Sequence, residues 1–234
     1  MKQHYYNQNI EDCDITLSPL FKHLTDQEVE MVNNEKTISF YKKGTYIYHE
    51  GNRIAGCYVV MKGILKVFKT GIDGKEQIIL FAKPYELIGF RSVISGELAC
   101  TTAKTLEDCT LCYIPQELLF TLVKNNGNFS LELLQLVCRE LGEANEYITD
   151  IAQKTVRERL AEILVHLKDN FGIDAESYLQ ISLTREELAN IVGTATESVI
   201  RLLSEFKSDQ YIEITGRKIK ILNYNALKKI ANFN

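Results

Sequence analysis

Apolar residues along the chain follow two different periods, and the change between them divides the sequence into regions. From about Ile38 to Ile114, short runs rich in Val, Ile, Tyr and Phe are separated by turns that contain glycine. Short strands with such turns are typical of a closed or rolled antiparallel sheet. The clearest hairpin is ILKVFKTGIDGKEQIILFA, in which Asp73 and Gly74 supply a tight turn. Pro84 follows it and fits a loop or a strand edge better than a central strand.

From about Phe129 to Ala152 the apolar residues take the period of a helix. Two series form an a/d seam three heptads long: Leu134, Leu141 and Ile148, and Val137, Ala144 and Ile151. A single helix with such a stripe could simply lie on its own domain. Because this helix connects a compact sheet to another domain, a two-chain coiled coil is the simpler use of so narrow a seam. We therefore predict a parallel homodimer.

The last region, from Lys154 onward, is predicted to begin with an amphipathic helix and to end with a small hairpin. The stretch KTVRERLAEILVHLKDNFG carries its apolar residues on one helical face: Val156, Leu160, Ile163, Leu164 and Leu167. The runs YIEI and KIKIL, around TGRK, predict two strands with a basic tip.

The stretch LTREELANIVGTATESVIRLLSEF lies between these two elements and predicts two helices with a sharp bend. Two capping boxes would begin helices ten residues apart, formed by Thr184 with Glu187 and by Thr194 with Glu197. Gly193 can adopt the left-handed conformation that ends the first helix. Small and apolar positions complete the spacing of a helix-turn-helix: Leu188, Ala189, Val192, Val199 and Leu202. The joint pattern predicts DNA binding.

If the apolar face of the second helix is buried, helical geometry turns its first residues outward. The outward set is Thr196, Glu197, Ile200 and Arg201. Arginine can make a bidentate contact to guanine, glutamate can accept a hydrogen bond from cytosine, and isoleucine can contact a thymine methyl. Glu197 could also hold Arg201, four residues on, or as a cap residue turn toward the backbone.

Three further cations are candidates for contacts to the phosphate backbone: Arg185, Arg217 and Lys218. The alternative is that they are solubilising surface charge. The net charge of −4 does not exclude a nucleic-acid partner, because it is unevenly distributed. The region from Lys154 onward contains 12 Lys and Arg residues and 11 Asp and Glu residues, whereas the rest of the chain contains 15 Lys and Arg and 20 Asp and Glu. The C-terminal third is therefore the better place for phosphate contacts, although a mixed-charge surface gives the same count.

Composition indicates a globular chain with 45% hydrophobic and 25% charged residues and three prolines. No stretch approaches the roughly 18 uninterrupted apolar residues of a membrane span, and MKQHYYNQNIEDCD lacks the apolar core of a signal peptide. We therefore expect no membrane contact and a cytoplasmic location, where disulfides are rare.

Cys109 and Cys112 form a C-x-x-C, but DCTLCYIP alternates like a strand, which places the two side chains on opposite faces.

A glycine-punctuated β-roll, a long helix and a winged helix-turn-helix, in this order, resemble the Crp/Fnr family of bacterial transcription regulators. The resemblance extends from about Leu20 to Ile230 and is carried by YKKGTYIYHEGNRIAGCYVVMKGILKVFKTGIDGKEQIILFAKPYELIG and LTREELANIVGTATESVIRLLSEFKSDQYIEI. It implies an α+β fold with an antiparallel β-roll sensor domain of the jelly-roll type (1–127), a dimerisation helix (128–153) and a winged helix-turn-helix domain (154–234). It also implies a homodimer on a palindromic site in double-stranded DNA, with RNA polymerase as a partner.

The resemblance places the effector pocket at Gly89, Phe90, Arg91, Ser92, Cys100 and Thr101. Family members that bind cyclic AMP resemble one another at two positions. One is a glutamate for the ribose, directly after the glycine that corresponds to Gly89, and the other is an arginine further on, for the cyclic phosphate. Here Phe90 and Arg91 follow the glycine, and ELAC precedes TTAKT. No cation at the matching position offsets the desolvation of a phosphate, and Arg91 could compensate only from a different geometry. We expect that cyclic AMP does not bind in the usual manner.

Two other cofactors of the family have little support in the sequence. Iron–sulfur members carry an N-terminal cysteine cluster, and four thiolates normally hold the iron–sulfur group. Because this chain has Cys13 alone in that region, we expect no iron–sulfur cluster. Haem needs an axial ligand, and of His4, His23, His49 and His166 only His49 lies within the predicted roll. A lone histidine does not identify a haem site. The effector is therefore unknown.

Three functions compete on these observations. The leading one is a sequence-specific DNA-binding regulator. A second is a small-molecule or redox sensor whose helix-turn-helix is a protein-docking surface, which the near-neutral C-terminal charge favours and the outward set of Thr196, Glu197, Ile200 and Arg201 disfavours. An enzyme is the weakest, because the sequence shows no nucleophile–base pair and no phosphate loop that opens a helix.

The expected DNA site differs from those of the best-known members. By the resemblance, Thr196 takes the place of an arginine used by members of the cyclic-AMP type, and Ile200 takes the place of a serine in members of the iron–sulfur type. Glu197 and Arg201 match the family's recognition glutamate and arginine. We therefore expect a palindrome with a G·C pair read by these two residues in each half, flanked by other bases.

Overall fold

The computed structural model describes residues 14–232 and divides them into two compact units. The first unit contains the described residues up to Thr70 together with Ile79–Glu140. The second contains Gly71–Ile78 and the residues from Leu141 onward. No helix in the described part of the chain is long and apolar enough to cross a membrane.

Eight strands form the β-roll, in two four-stranded sheets with the orders β1-β8-β3-β6 and β2-β7-β4-β5. Apart from β4 and β5, which form a hairpin, neighbouring strands are far apart in sequence, and β1 pairs antiparallel with β8 and β2 with β7. This is the rolled antiparallel topology that the glycine-separated runs predict. The strands are β1 (Thr37–Tyr41), β2 (Tyr46–Tyr48), β3 (Gly56–Lys62), β4 (Leu65–Thr70), β5 (Glu76–Ala82), β6 (Leu87–Ile88), β7 (Thr102–Thr105) and β8 (Cys109–Pro115).

The predicted hairpin between β4 and β5 is confirmed. Gly74 has φ +75°, and its N–H donates to the Gly71 carbonyl at 3.0 Å, so the left-handed glycine closes the tight turn. Pro84 lies in the turn after β5, outside the strands, as expected of a residue without an N–H donor.

The two faces of β8 belong to two different hydrophobic clusters. Cys109 and Leu111 pack in one cluster, and Cys112 and Ile114 pack in the other. Strand alternation therefore separates the two thiols of the C-x-x-C, as the sequence predicts. Burial raises the pKa of the Cys109 thiol to about 11, so it stays protonated and inert at neutral pH.

Four helices accompany the strands of the first region. A 3₁₀ turn (Ile15–Leu17) and helix α1 (Asp26–Glu35) precede the roll, and α2 (Phe90–Ser95) follows β6. After β8 come α3 (Gln116–Asn125) and the long helix α4 (Gly127–Gln153). Only Phe129 and Leu133 of α4 are buried, because these two pack into the cluster around Cys112.

The predicted seam of α4 faces solvent in the single chain. Leu134, Leu141 and Ile148 are 59, 61 and 65% exposed, and the other seam positions are also exposed: Val137, Ala144 and Ile151. The helix therefore does not use this stripe to pack on its own domain. Of the two uses of the seam that the sequence leaves open, packing on its own domain is therefore disfavoured.

The second unit contains the winged helix-turn-helix. Its helices are α5 (Val156–Phe171), α6 (Arg185–Val192), α7 (Thr196–Ser208) and α8 (Tyr224–Ile230). Strands β9 (Ile212–Thr215) and β10 (Lys218–Ile221) pair antiparallel and form the wing, with Gly216 and Arg217 at its tip. This is the order of elements that the apolar periods predict for the region after Lys154.

The placement of the two cysteines in β8 leads to a first prediction. Mild oxidation of the folded protein with diamide should leave Cys109 and Cys112 unbridged, because their side chains lie on opposite faces of a buried strand. Mass spectrometry of the tryptic peptide that contains both thiols measures the result, and the urea-unfolded protein is the control. A peptide 2 Da lighter from the folded protein, in about stoichiometric yield, would contradict the buried-strand geometry.

Candidate nucleic-acid interface

The first helix of the pair, α6, begins and ends as its sequence predicts. The Glu187 carboxylate accepts from the Thr184 N–H at 2.8 Å, and the Thr184 hydroxyl accepts from the Glu187 N–H at 3.1 Å. These reciprocal bonds are a capping box. Gly193 ends the helix at φ +72°, in the left-handed region.

The second predicted capping box, of Thr194 with Glu197, is wrong. Helix α7 begins at Thr196, its N-cap is Ala195, and no side chain caps it. The reason is that Thr194 belongs to the end of α6, since its N–H and that of Gly193 both donate to the Ala189 carbonyl. Glu197 is therefore not turned back toward the backbone and lies exposed in the first turn of α7.

The inner face of α7 is fully buried and fixes the outer face. The buried residues are Val199, Leu202, Leu203 and Phe206, and Leu188, Ala189 and Val192 of α6 are buried as well. Ile200 is 49% exposed, and the Arg201 side chain is 69% exposed. Thr196 is half-buried at the start of the helix. The structure thus places the four predicted groove-facing residues on the outer side or at the end of α7.

The predicted pairing of Glu197 with Arg201 does not occur. Arg201 Nη1 instead donates to Glu205 Oε1 at 2.9 Å, one helical turn further on. The other oxygen of Glu205 accepts from Arg157 Nη1, also at 2.9 Å, and Arg157 bonds Asp209 through its second nitrogen. Glu205 is held in place from α5, and it is therefore the better anchor for Arg201 than an unsupported carboxylate at the exposed helix start.

The three candidate phosphate contacts have different surroundings. Arg217 is exposed at the wing tip. Lys218 is 53% exposed and lies within 4.0 Å of Asp174 and Glu176. Arg185 donates to the Gly216 carbonyl at 3.0 Å, and burial lowers the pKa of its guanidinium. Arg185 therefore connects the first helix to the wing, and its contact to DNA stays a prediction.

Arg159 supports the turn, and our sequence analysis did not identify it. It is buried in α5 and donates to the Val192 carbonyl at 3.0 Å and to the Lys154 carbonyl at 2.7 Å. A third N–H reaches the Gly193 carbonyl at 3.4 Å. These bonds satisfy carbonyls at the end of α6 that have no partner within the helix. A charged residue next to the apolar stripe of α5 was the available signal.

Two residues of the β4–β5 hairpin tip also contact the turn, within the second unit. Lys75 Nζ donates to the Thr194 carbonyl at 2.6 Å, and the Gln77 amide donates to the Asn190 carbonyl. No local sequence pattern indicates these bonds, because the partners lie more than a hundred residues apart.

The six predicted effector-pocket residues line one small pocket in the first unit, which is partly open to solvent and has a volume of about 20 Å³. Gly89, Phe90, Arg91, Ser92, Cys100 and Thr101 share its wall with Tyr48, Val67, Leu80, Leu87, Ile88 and Glu140. Burial raises the pKa of Tyr48 to about 12, so its hydroxyl stays neutral. The Arg91 guanidinium lies 3.6 Å from the Glu140 carboxylate. The structure thus brings the set together, and its use as an effector site stays a prediction.

The residues weighed as metal or haem ligands are dispersed. Cys13 and His4 lie outside the described residues. His49 is exposed and stacks on Tyr46 with ring centroids 4.5 Å apart. Between residues 14 and 232 no group of three metal-ligating side chains is present.

Comparison with known proteins gives consistent matches over the chain. The model of the cyclic nucleotide-binding domain matches residues 38–126, and that of the Crp-like helix-turn-helix domain matches residues 158–230. The transcriptional activator protein Anr of Pseudomonas protegens is 30% identical over 231 residues, which cover 95% of this chain and 93% of Anr. Anr of Pseudomonas aeruginosa is 30% identical over 217 residues, covering 91% and 88%. The solved structure of FixK2 from Bradyrhizobium japonicum has a TM-score of 0.75 at 22% identity, covering 83% of this chain and 96% of FixK2.

The two faces of α7 lead to a second prediction. Leu203→Ala should lower the free energy of unfolding of this unit by about 2–5 kcal/mol, because it leaves a cavity in a closed core. Ile200→Ala, on the exposed face of the same helix, should change it by less than about 0.5 kcal/mol. Urea unfolding followed by circular dichroism measures both. Equal losses from the two variants would show that the outer face is packed in solution.

Proposed function

Because the chain belongs to the Crp/Fnr family of transcription regulators, we propose that it binds a palindromic DNA site as a homodimer. The observation that carries this proposal is the outer face of α7. Glu197, Ile200 and Arg201 are exposed on a helix whose opposite face is buried, at the N-terminal end that enters a major groove in this motif. A bacterial DNA-binding regulator acts in the cytoplasm, where the chromosome lies.

The ion pair of Arg201 with Glu205 does not block base recognition. Both side chains are well exposed, and an exposed pair four residues apart on a helix contributes only about 0.3–0.5 kcal/mol. A bidentate contact of arginine to guanine contributes about 1–3 kcal/mol of discrimination. Arg201 therefore exchanges a weak partner for a stronger one when guanine is present, and Glu197 is free to accept from cytosine.

The exposed seam of α4 supports the homodimer. Apolar side chains at a and d positions over three heptads are costly to leave in water, and a parallel two-stranded coiled coil covers them. A two-fold axis along α4 presents two copies of α7 to DNA. The half-sites of the palindrome are then about one helical turn, or 34 Å, apart.

The β-roll is the proposed sensor, with its effector in the cavity around Arg91. The residue after Gly89 is Phe90, which is buried in the apolar cluster and offers no acceptor for a ribose. Arg91 is engaged by Glu140. These observations support the proposal that cyclic AMP does not bind in the usual manner. RNA polymerase is the proposed partner on promoter DNA, by analogy with the family.

Selection of bound sequences from a random DNA pool tests the proposal as a whole. Purified full-length protein, without added ligand and then with cell extract, should enrich a palindrome with a G·C pair in each half. Enrichment without extract would show that no effector is needed for binding. No enrichment under either condition, from folded dimeric protein, would overturn DNA binding.

Arg201→Ala gives a third, more specific prediction. The variant should lose about 1–3 kcal/mol of affinity for the selected site and relax the preference at one G·C position per half-site. Lys207→Ala, an exposed cation further along the same helix, is the matched control and should leave that preference unchanged. Fluorescence anisotropy on selected and scrambled duplexes measures both. Equal losses on the two duplexes would make Arg201 a phosphate contact.

A fourth prediction concerns the seam. Leu141→Lys should shift the protein from dimer to monomer, because it places two like charges opposite each other in an apolar interface. Gln135→Lys adds the same charge to α4 away from the seam and should stay dimeric. Sedimentation velocity measures both masses. A dimeric Leu141→Lys protein would place the interface elsewhere.

A further inference from the structure

The wing is a two-stranded hairpin that needs support from the rest of its unit. Its strands β9 and β10 are four residues long and pair along their whole length, and Gly216 and Arg217 form the turn between them. A hairpin of two strands is marginally stable at best in water. The direction in which the wing tip points therefore depends on the contacts that hold it.

The strands of the wing are held along one edge and by side chains of β9. Ile219 is buried, and its carbonyl accepts from the Leu179 N–H at 2.9 Å. The Tyr178 hydroxyl donates to the Glu213 carboxylate at 3.2 Å and lies 3.2 Å from the Thr215 hydroxyl. None of these contacts reaches the turn itself.

Arg185 holds the turn of the wing from the start of α6. Its Nη2 donates to the Gly216 carbonyl at 3.0 Å. The capping box of Thr184 with Glu187 fixes the start of α6, so the arginine projects from a rigid point. Because the donor is charged, this bond is stronger than one between neutral groups. Arg185 thus holds the wing at the place that the other contacts leave free.

The Arg185 guanidinium is poorly placed to contact DNA directly. Its Nη1 is buried and has no hydrogen-bond acceptor among residues 14–232, and its Nη2 is engaged by the Gly216 carbonyl. Arg217, at the tip, is exposed. A phosphate can therefore reach Arg217 from solvent, whereas a phosphate contact of Arg185 would require its guanidinium to leave the wing and turn outward.

We propose that Arg185 is a positioning residue, which braces the wing so that Arg217 contacts a DNA phosphate. The brace orders the tip before DNA arrives, so less conformational freedom is lost when Arg217 binds. Lys218 lies within 4.0 Å of Asp174 and Glu176, and these carboxylates make it the less available cation of the tip. The inference rests on the proposed DNA binding, and it replaces a direct phosphate contact of Arg185 by an indirect role.

Hydrogen–deuterium exchange of the full-length protein without DNA, followed by mass spectrometry, tests the brace. Arg185→Met keeps the apolar stem of the side chain and removes every donor. The amides of the wing tip should exchange about tenfold faster in this variant, as expected for the loss of a charge-assisted hydrogen bond. The amides of α5 should keep their wild-type rates, which excludes a general loss of stability.

Lys229→Gln, which removes an exposed charge from α8, is the control for this experiment and should leave exchange in the wing unchanged. Unchanged exchange at the tip of Arg185→Met would overturn the proposal. Faster exchange throughout the unit would also overturn it, because Arg185 would then have a general structural role.

A double-mutant cycle on DNA tests whether the brace acts through Arg217. Any duplex at low salt serves, because phosphate contacts do not depend on sequence. Arg217→Ala should weaken binding about three- to tenfold and lower the salt slope by about one. Arg185→Met should weaken binding by no more than this, and its addition to Arg217→Ala should cost less than about twofold further. Fluorescence anisotropy over a series of salt concentrations measures all four proteins.

The cycle separates failure of this proposal from failure of the proposed function. Losses that multiply in the double variant, with a salt slope lower by about two, would show that each arginine contacts its own phosphate and would overturn the positioning role alone. Wild-type protein that binds no duplex would overturn the phosphate contact of Arg217 together with DNA binding. A selection that enriches no sequence, while duplex binding persists, would overturn sequence-specific recognition and leave the brace intact.

Discussion

The DNA-binding unit depends on the left-handed turn at Gly193. The φ angle of Gly193 is +72°, a left-handed conformation in which any side chain is strained, so the backbone favours glycine here; a Cβ would also lie 2.9 Å from Ile151 Cδ1, and the end of that side chain would have to shift. Arg159 completes the turn from α5, because it donates to the carbonyls of Val192 and Gly193 that α6 cannot satisfy. The angle between α6 and α7 follows from this turn, and the angle decides which side of α7 faces outward.

Ion pairs then orient the outward side chains. Arg157 of α5 holds Glu205, and Glu205 holds Arg201, so one carboxylate joins the support helix to the candidate recognition residue. The pair at Arg201 is exposed and weak, and the buried inner face of α7 supplies the stability. This division allows the outer face to vary with the DNA sequence while the helix position stays fixed.

The pocket of the β-roll is assembled differently, because strands that lie far apart in the sequence bring its lining residues together. Thr101 precedes β7, and Arg91 follows β6, and both line one cavity with Tyr48 of β2 and Glu140 of α4. The same alternation that separates Cys109 from Cys112 gives each sheet its own apolar cluster. The cavity is the place in this unit where a charged group of α4 approaches the roll.

The amino-acid sequence by itself determined the elements of this protein, because their signals are local. The capping box of Thr184, the positive φ of Gly74 and Gly193 and the buried stripe of α7 depend on residues close in the chain. The tertiary structure alone decided the partners of charged side chains. The N–H of Thr194 bonds the last turn of α6, and its side chain does not cap α7. Arg201 pairs with Glu205 and not with Glu197, because Arg157 holds Glu205 from another helix. Such choices depend on which groups folding brings within hydrogen-bond distance, which spacing along the chain does not encode.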